Sequence, residues 1–261
     1  MMVPITFHFC STPKSGSSSR GSVHKAGSRG SGSRGSYQFQ FGSRPSWKMG
    51  AQGVSWPGGL LTYFNKIYQK RIGAHPSYPD PANFGRKSMK LPAAELKAAL
   101  SEQLDQFFSI AADLDAPVFH VKPHGALYND MYHDDELCLT FIEVLESFQK
   151  DLHIFCQPGS KLGKIAPLYG YPVYYEGFGD RRYTAAGSLT SRSEPYALIK
   201  NTTDLFEQVL LMIQKKQVQS HDGVIIPMDV QTICLHGDSP FALQFAEGLH
   251  HFLIENAIRI E

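Results

Sequence analysis

The segment Pro117-Val118-Phe119-His120-Val121-Lys122-Pro123-His124-Gly125-Ala126-Leu127-Tyr128-Asn129 delivers two histidines and a lysine to the end of a short apolar run, where it breaks into a Pro/Gly turn. Imidazole titrates near neutral pH and moves protons, and a lysine ammonium is a compact positive charge. Strands covered on both faces are apolar along their length, so ionisable side chains belong at their open ends. The same arrangement recurs three times. Ile72-Gly73-Ala74-His75-Pro76 leads into Tyr78-Pro79-Asp80 and Phe84-Gly85-Arg86; Pro172-Val173-Tyr174-Tyr175 leads into Glu176, Gly177 and Asp180-Arg181-Arg182; Thr232-Ile233-Cys234-Leu235 leads into His236-Gly237-Asp238. One such cluster is explained by a turn. Four in register point to a shared site.

The elements that must position these residues alternate. Helical spacing runs over Pro92–Leu114, with Leu96, Leu100, Leu104, Phe107 and Phe108 on one face and Pro92 suited to the first turn. Asp134–Phe148, Asp204–Lys216 and Pro240–Asn256 read the same way. Strands alternating with helices predict an α/β chain with a parallel sheet or barrel, whose chemistry sits at the C-terminal strand ends. A chain of 261 residues with 42% apolar content suits one domain of that size. The formal net charge is +1 and no basic stripe crosses the α/β part, which speaks against a nucleic-acid partner. No apolar run has the length of a membrane span or a signal core. Cys10, Cys138, Cys156 and Cys234 have no paired short spacing and read as reduced thiols, so a soluble cytoplasmic protein is expected.

Residues 1–70 depart from this pattern. Ser11–Ser46 is rich in Ser, Gly and Arg, a composition with too little apolar surface to offset ordering entropy, and it reads as flexible. Met2–Phe9 reads as a short strand and Gly59–Gln69 as a helix, and neither carries an acidic residue. The expected organisation is therefore an atypical segment over 1–70 and an α/β domain over 71–261.

The motifs of the second part closely resemble the LamB/YcsF family. The resemblance rests on His75-Pro76-Ser77-Tyr78-Pro79-Asp80 with Phe84-Gly85-Arg86, on His120 to Asn129, and on Glu176-Gly177-Phe178-Gly179-Asp180-Arg181-Arg182-Tyr183. Leu189-Thr190-Ser191-Arg192-Ser193 and Ile233-Cys234-Leu235-His236-Gly237-Asp238 complete it, and it runs from about Arg71 to Ile260. It implies an irregular (β/α) barrel related to polysaccharide deacetylases. It also implies the A component of a bacterial ATP-dependent 5-oxoprolinase, which opens 5-oxoproline to glutamate with ATP hydrolysis, together with subunits B and C. ATP is the implied cofactor, with or without Mg2+. Family members begin with a DLNxDxGE strand and later carry an ACGxHAGD segment, and neither occurs before Arg71. The resemblance thus implies a barrel without its first strands and with fewer acidic site residues. A frameshift or faulty gene model would leave such a stretch; coding DNA holding neither motif in its other two frames overturns that reading.

The residues suit the implied chemistry. A lactam amide is a poor electrophile, so the site needs cations for carboxylate and phosphoryl charge, an acid/base for water and donors for the developing oxyanion. Lys122 and Arg86 are the first cations, with Arg181, Arg182 and Arg192 beside them. Asp180, Glu176 and Asp238 are candidates for activating water or orienting a histidine; His75, His124 and His236 are candidates for proton transfer. Lys122, His124, Asp180 and Glu176 form the expected catalytic set. His75, Asp80, Arg86, Arg181, Arg192, His236 and Asp238 form the expected substrate-binding set. Structural alternatives stand beside them: Asp80 pairing with Arg86 across a turn, Asp180 with Arg181, and His120 as a core histidine. His133, His153, His221, His250 and His251 read as helical or loop residues at the surface. No resident metal is expected, although a deacetylase-type hydrolase would use His75, His124, His236 and an acid as ligands. A non-catalytic copy is the third reading. Gly159-Ser160-Lys161-Leu162-Gly163 lacks the spacing of a phosphate-binding loop, so the ATP site has no local signature. As a cation at a strand end, Lys122 is expected to be removable without loss of the fold.

Overall fold

The computed structural model describes residues 2–3, 5–8, 39–41, 71–148, 151–237 and 239–260. Its strands are β1 (Met2–Val3), β2 (Ile5–His8), β3 (Phe39–Phe41), β4 (Ile72–Ala74), β5 (Val118–Val121), β6 (His153–Cys156), β7 (Val173–Phe178), β8 (Gln217–Gln219), β9 (Ile225–Pro227), β10 (Thr232–His236) and β11 (Arg259–Ile260). Its helices are α1 (Ala93–Asp113), α2 (Gly125–Asp130), α3 (Asp135–Leu145), α4 (Lys161–Ile165), α5 (Thr202–Lys215) and α6 (Ala242–Glu255).

Seven strands form one sheet in the order β2-β10-β7-β6-β5-β4-β3, and every pairing in it is parallel. The sheet curls until its edge strands β2 and β3 approach within 8 Å at Cα. Parallel pairing places all C-terminal strand ends on one rim, which is why His75, Lys122, Asp180 and His236 gather there. The strands expected to be missing are present in part: residues 5–8 lie beside β10, and residues 39–41 lie beside β4. The Met2–Phe9 strand expectation thus corresponds to β1 and β2, whereas the Gly59–Gln69 helix lies outside the described residues. So does the Ser11–Ser46 reading, apart from Phe39–Phe41.

Helices cover the sheet in two groups. Leu96, Leu100 and Leu104 recur at helical spacing along α1 and pack with Phe141, Ile142 and Leu145 of α3 against Ile72, Val121 and Ile154. Leu205, Val209 and Met212 of α5 pack with Phe245, Leu249 and Leu253 of α6 against Ile233 and Leu235. The helix starts follow local chemistry. Asp134 accepts from the Leu137 amide at 2.9 Å, Asn201 accepts from the Asp204 amide at 2.8 Å, and Pro92 stands at the start of α1. The register between β4 and β5 shifts at Ile72/Gly73, and a Cβ on Gly73 would fall 2.3 Å from the His120 ring. Only glycine lets β5 carry a buried histidine at that point.

Among the described residues, no helix is long and apolar enough to cross a membrane.

Candidate functional site

A cavity of about 550 Å³ opens at the C-terminal rim of the sheet. Its wall includes His75, Arg86, Lys122, His124, Arg181, Arg192 and His236. Each arrives from the end of a strand or the loop that follows it.

Lys122 follows β5 and is only 3% exposed, while Glu176 of β7 is fully buried. The Lys122 ammonium and the Glu176 carboxylate meet at 2.5 Å. Tyr128 of α2 donates its hydroxyl to the same carboxylate oxygen at 3.4 Å. Lys122 also donates to Cys234 Sγ at 3.5 Å and lies 5.0 Å from the centre of the Phe178 ring. Burial pushes the Cys234 thiol up, with Lys122 opposing, so the sulfur stays protonated and accepts weakly. Glu176 is absent from the cavity wall. It holds Lys122 from behind the wall, since two charges this deeply buried require one another.

Asp180 and His236 form the second unit. Asp180 accepts from the His236 backbone amide at 2.9 Å, and its carboxylate takes the His236 Nδ1 hydrogen at 2.9 Å. Burial raises the Asp180 carboxyl, but the imidazole and amide of His236 outweigh it and hold the group below the usual carboxylate range. Burial lowers His236, and Asp180 only partly restores it. The pair therefore stands as a carboxylate and a neutral imidazole, with the proton on Nδ1 and the Nε2 lone pair available. Of the two roles expected for Asp180, this geometry favours orienting a histidine. Its partner is His236; Arg181 instead donates to the Thr190 carbonyl at 2.6 Å.

Arg181 is 3% exposed, and its Nε–H has no hydrogen-bond partner among the described residues. Burial, then Arg192, lower its pKa to about 10, so it remains charged beside a second guanidinium. A buried, unsatisfied donor on a cavity wall suits an incoming oxyanion. Arg182 points elsewhere and pairs with Asp204.

His75 and His124 stand side by side. His75 Nδ1 lies 2.7 Å from the Lys122 carbonyl, His75 Nε2 lies 2.9 Å from His124 Nδ1, and His124 Nε2 lies 3.0 Å from the Phe84 carbonyl. The Phe84–Gly85 turn that supplies this last acceptor is fastened to α2, because the Ala126 amide donates to Gly85 O at 2.9 Å. Gly125 has φ +59°, and a Cβ there would fall 2.5 Å from Gly85 O. Gly125→Ala is therefore expected to cost about 1–3 kcal/mol in backbone strain alone, with a further loss as the turn is pushed away. Thermal unfolding checks it, and a melting temperature equal to that of the parent chain would contradict the placement.

The other expected residues fall as follows. Asp80 does not line the cavity. It caps the 3-10 turn Pro81–Asn83, accepting from the Asn83 amide at 3.2 Å and side chain at 2.8 Å. Arg86 lies 5.1 Å from the Phe84 ring centre and reaches the cavity wall. His120 is fully buried and stacks on Phe155 at 4.3 Å, as a core histidine does. His153 is in β6, half-buried and stacked on Phe119 at 4.2 Å, rather than on a helix or loop. Asp238 lies outside the described residues. Among those residues no group of three or more His, Cys, Asp or Glu side chains is arranged to hold a metal, so His75, His124 and His236 do not assemble as a ligand set. The sequence reading missed Tyr128 and Cys234 as site neighbours. Tyr128 follows His124 by one helical turn, and that spacing was the available signal.

The profile of the LamB/YcsF family matches residues 65–261. The chain is 39% identical over 197 residues to the A component of 5-oxoprolinase from Haemophilus influenzae (strain PittEE), covering 76% of this chain and 80% of that protein. It is 38% identical over 190 residues to the A component of 5-oxoprolinase from Neisseria meningitidis serogroup A / serotype 4A, covering 73% and 78%. Its structure resembles the crystal structure of the lactam utilization protein from Thermus thermophilus, with a TM-score of 0.74 and 25% identity, covering 100% of this chain and 99% of that one.

Proposed function

The chain belongs to the LamB/YcsF family, and from that premise we propose that it is the lactam-opening subunit of an ATP-coupled 5-oxoprolinase. In this reading it cleaves 5-oxo-L-proline to L-glutamate, works with subunits B and C, and resides in the cytoplasm where ATP is available. The curled parallel sheet is read as the irregular barrel of the deacetylase-like type.

The observation that carries the proposal is the convergence of an Asp180–His236 pair, Lys122 and three arginines on one cavity. 5-Oxoproline needs three things from such a wall. Its carboxylate needs a fork of donors, and Arg86 is assigned to it. Water attacking the amide carbon must lose a proton, and the Nε2 lone pair of His236 accepts it while Asp180 stabilises the resulting imidazolium. Negative charge developing on the lactam oxygen needs a fixed positive group, which Lys122 supplies under the orientation imposed by Glu176.

Arg181, with Arg192 beside it, fits a phosphate oxygen, since the buried Nε–H of Arg181 lacks an acceptor among the described residues. ATP, when bound, would supply a phosphoryl group to the lactam oxygen and so activate the amide carbon; as the C–N bond breaks, the ring nitrogen takes the proton held on His236 Nε2, and phosphate is released to a second water.

The test is 5-oxoproline-dependent glutamate release with ATP and subunits B and C. Release above a control lacking this chain supports the proposal. No release, with the partners shown competent beside a family member of standard N-terminus, sinks it for this chain. Arg192 is half-buried, and Arg192→Gln is expected to raise the KM for ATP about tenfold or more with the melting temperature unchanged. An unaltered KM would remove Arg192 from the phosphate role.

A further inference from the structure

Three contacts run in line through His75 and His124, from the Lys122 carbonyl at 2.7 Å, across the two rings at 2.9 Å, to the Phe84 carbonyl at 3.0 Å. A carbonyl oxygen only accepts, so each outer nitrogen, His75 Nδ1 and His124 Nε2, must carry a hydrogen. A neutral imidazole has one N–H. With both rings neutral, the two inner nitrogens are therefore both lone pairs, held 2.9 Å apart. Two protons serve three hydrogen-bonding gaps. A third proton would complete the line and give the pair a single positive charge.

The surroundings oppose that charge in the ligand-free protein. Burial, followed by Arg86, lowers His124 to about 3, with His236 and Lys122 adding to the effect. Among the described residues, the charged and titratable groups around the pair are Arg86 on the loop after β4, Lys122 after β5 with Glu176 on β7, and Asp180–His236 bridging the ends of β7 and β10. Arg181 and Arg192 lie further along the same wall. An anion entering the cavity offsets the cations among these groups and removes the main electrostatic objection to the third proton. A permanently charged imidazolium at this depth would carry its desolvation cost at all times, whereas a charge that arrives with its counter-ion does not.

We infer that His75 and His124 are one proton-accepting unit, which takes a single proton onto the Nε2–Nδ1 contact when a carboxylate ligand enters the cavity. Both rings line the cavity, which gives that proton its route. The identity of the ligand as 5-oxoproline rests on the functional reading above; the sharing of one proton does not.

The test is nitrogen-15 NMR of the histidine-labelled full chain between pH 4 and 8. Without ligand, His75 Nδ1 and His124 Nε2 should stay protonated throughout. The inner nitrogens, His75 Nε2 and His124 Nδ1, should take no proton down to pH 4, since burial and Arg86 oppose the charge. With 5-oxoproline bound they should titrate together, with one midpoint above pH 4 and one proton in total. In the His124→Asn variant His75 should titrate at a different midpoint from the pair. Adding 5-oxoproline should raise the common midpoint, and its affinity should rise about tenfold for each pH unit lowered between the free and bound midpoints. Separate midpoints in the bound protein, unprotonated outer nitrogens, or an indifferent His75 in His124→Asn each overturn the sharing. If 5-oxoproline moves no resonance while acetate brings on the common titration, the sharing stands and the substrate assignment fails. If 5-oxoproline binds but leaves the midpoint in place, the coupling to ligand fails.

Discussion

Lys122→Ala is expected to destabilise the chain by about 3–5 kcal/mol, the range seen when one partner of a buried ion pair is removed. Glu176 is fully buried and meets the Lys122 ammonium at 2.5 Å, so the variant leaves a carboxylate without its cation. This reverses the expectation that a strand-end lysine can be removed without consequence for the fold. The size of the effect matters, since a domain of this kind is stable by only about 5–15 kcal/mol. Loss of glutamate formation in Lys122→Ala would therefore confound chemistry with folding. The double substitution Lys122→Met with Glu176→Leu separates them. Removing both charges is expected to return stability to near or above that of the parent chain, while glutamate formation stays absent. Urea unfolding of the parent, both single variants and the double variant provides the cycle. If the two single costs simply add in the double variant, the ion pair is not buried as placed.

That reversal shows where the sequence was legible. The four strand-to-turn clusters were readable because parallel strands confine ionisable residues to their ends, and β4, β5, β7 and β10 all end on one rim. The long helices were readable from the spacing of Leu96, Leu100 and Leu104 or of Leu205, Val209 and Met212. β6 was missed because His153-Ile154-Phe155-Cys156 is too short to show a period and opens on a residue that reads as surface. The edge strand at Phe39–Phe41 was missed because its neighbourhood has the composition of a flexible segment, and pairing with β4 is a long-range event that composition does not encode.

The site itself was legible as a list of residues and not as a set of partners. Lys122, His124 and His236 could be picked out by type and position. That Glu176 would serve Lys122, that Asp180 would choose His236 over the adjacent Arg181, and that Asp80 would cap a turn depend on side-chain directions set by the curl of the sheet. The residues hidden in this way are acidic, and the reason is physical. A carboxylate buried at a rim crowded with cations is drawn to whichever donor the backbone brings nearest, and that donor is distant in sequence: 54 positions separate Lys122 from Glu176, and 56 separate Asp180 from His236.

Asp180→Asn carries the second large expectation, a fall in the rate of glutamate formation of about 10²–10⁴-fold, the usual worth of a positioned acid/base group. The carboxylate accepts two hydrogens from one residue, the His236 amide at 2.9 Å and the ring Nδ1–H at 2.9 Å. An asparagine has one oxygen for those two donors, and its amide nitrogen must face one of them. If the amide nitrogen turns to the ring, it donates to Nδ1, and the imidazole proton is driven to Nε2. The lone pair that would take the proton of water is then gone, although the ring has not moved. The effect should appear in kcat more than in KM, because neither side chain is assigned to substrate binding in this mechanism. Nitrogen-15 spectra provide the independent readout: His236 should carry its hydrogen on Nδ1 in the parent chain and on Nε2 in the variant. Full rate in a variant whose tautomer has switched would remove His236 as the base. A reduced rate with the tautomer unchanged would instead assign the loss to the missing negative charge beside Arg181.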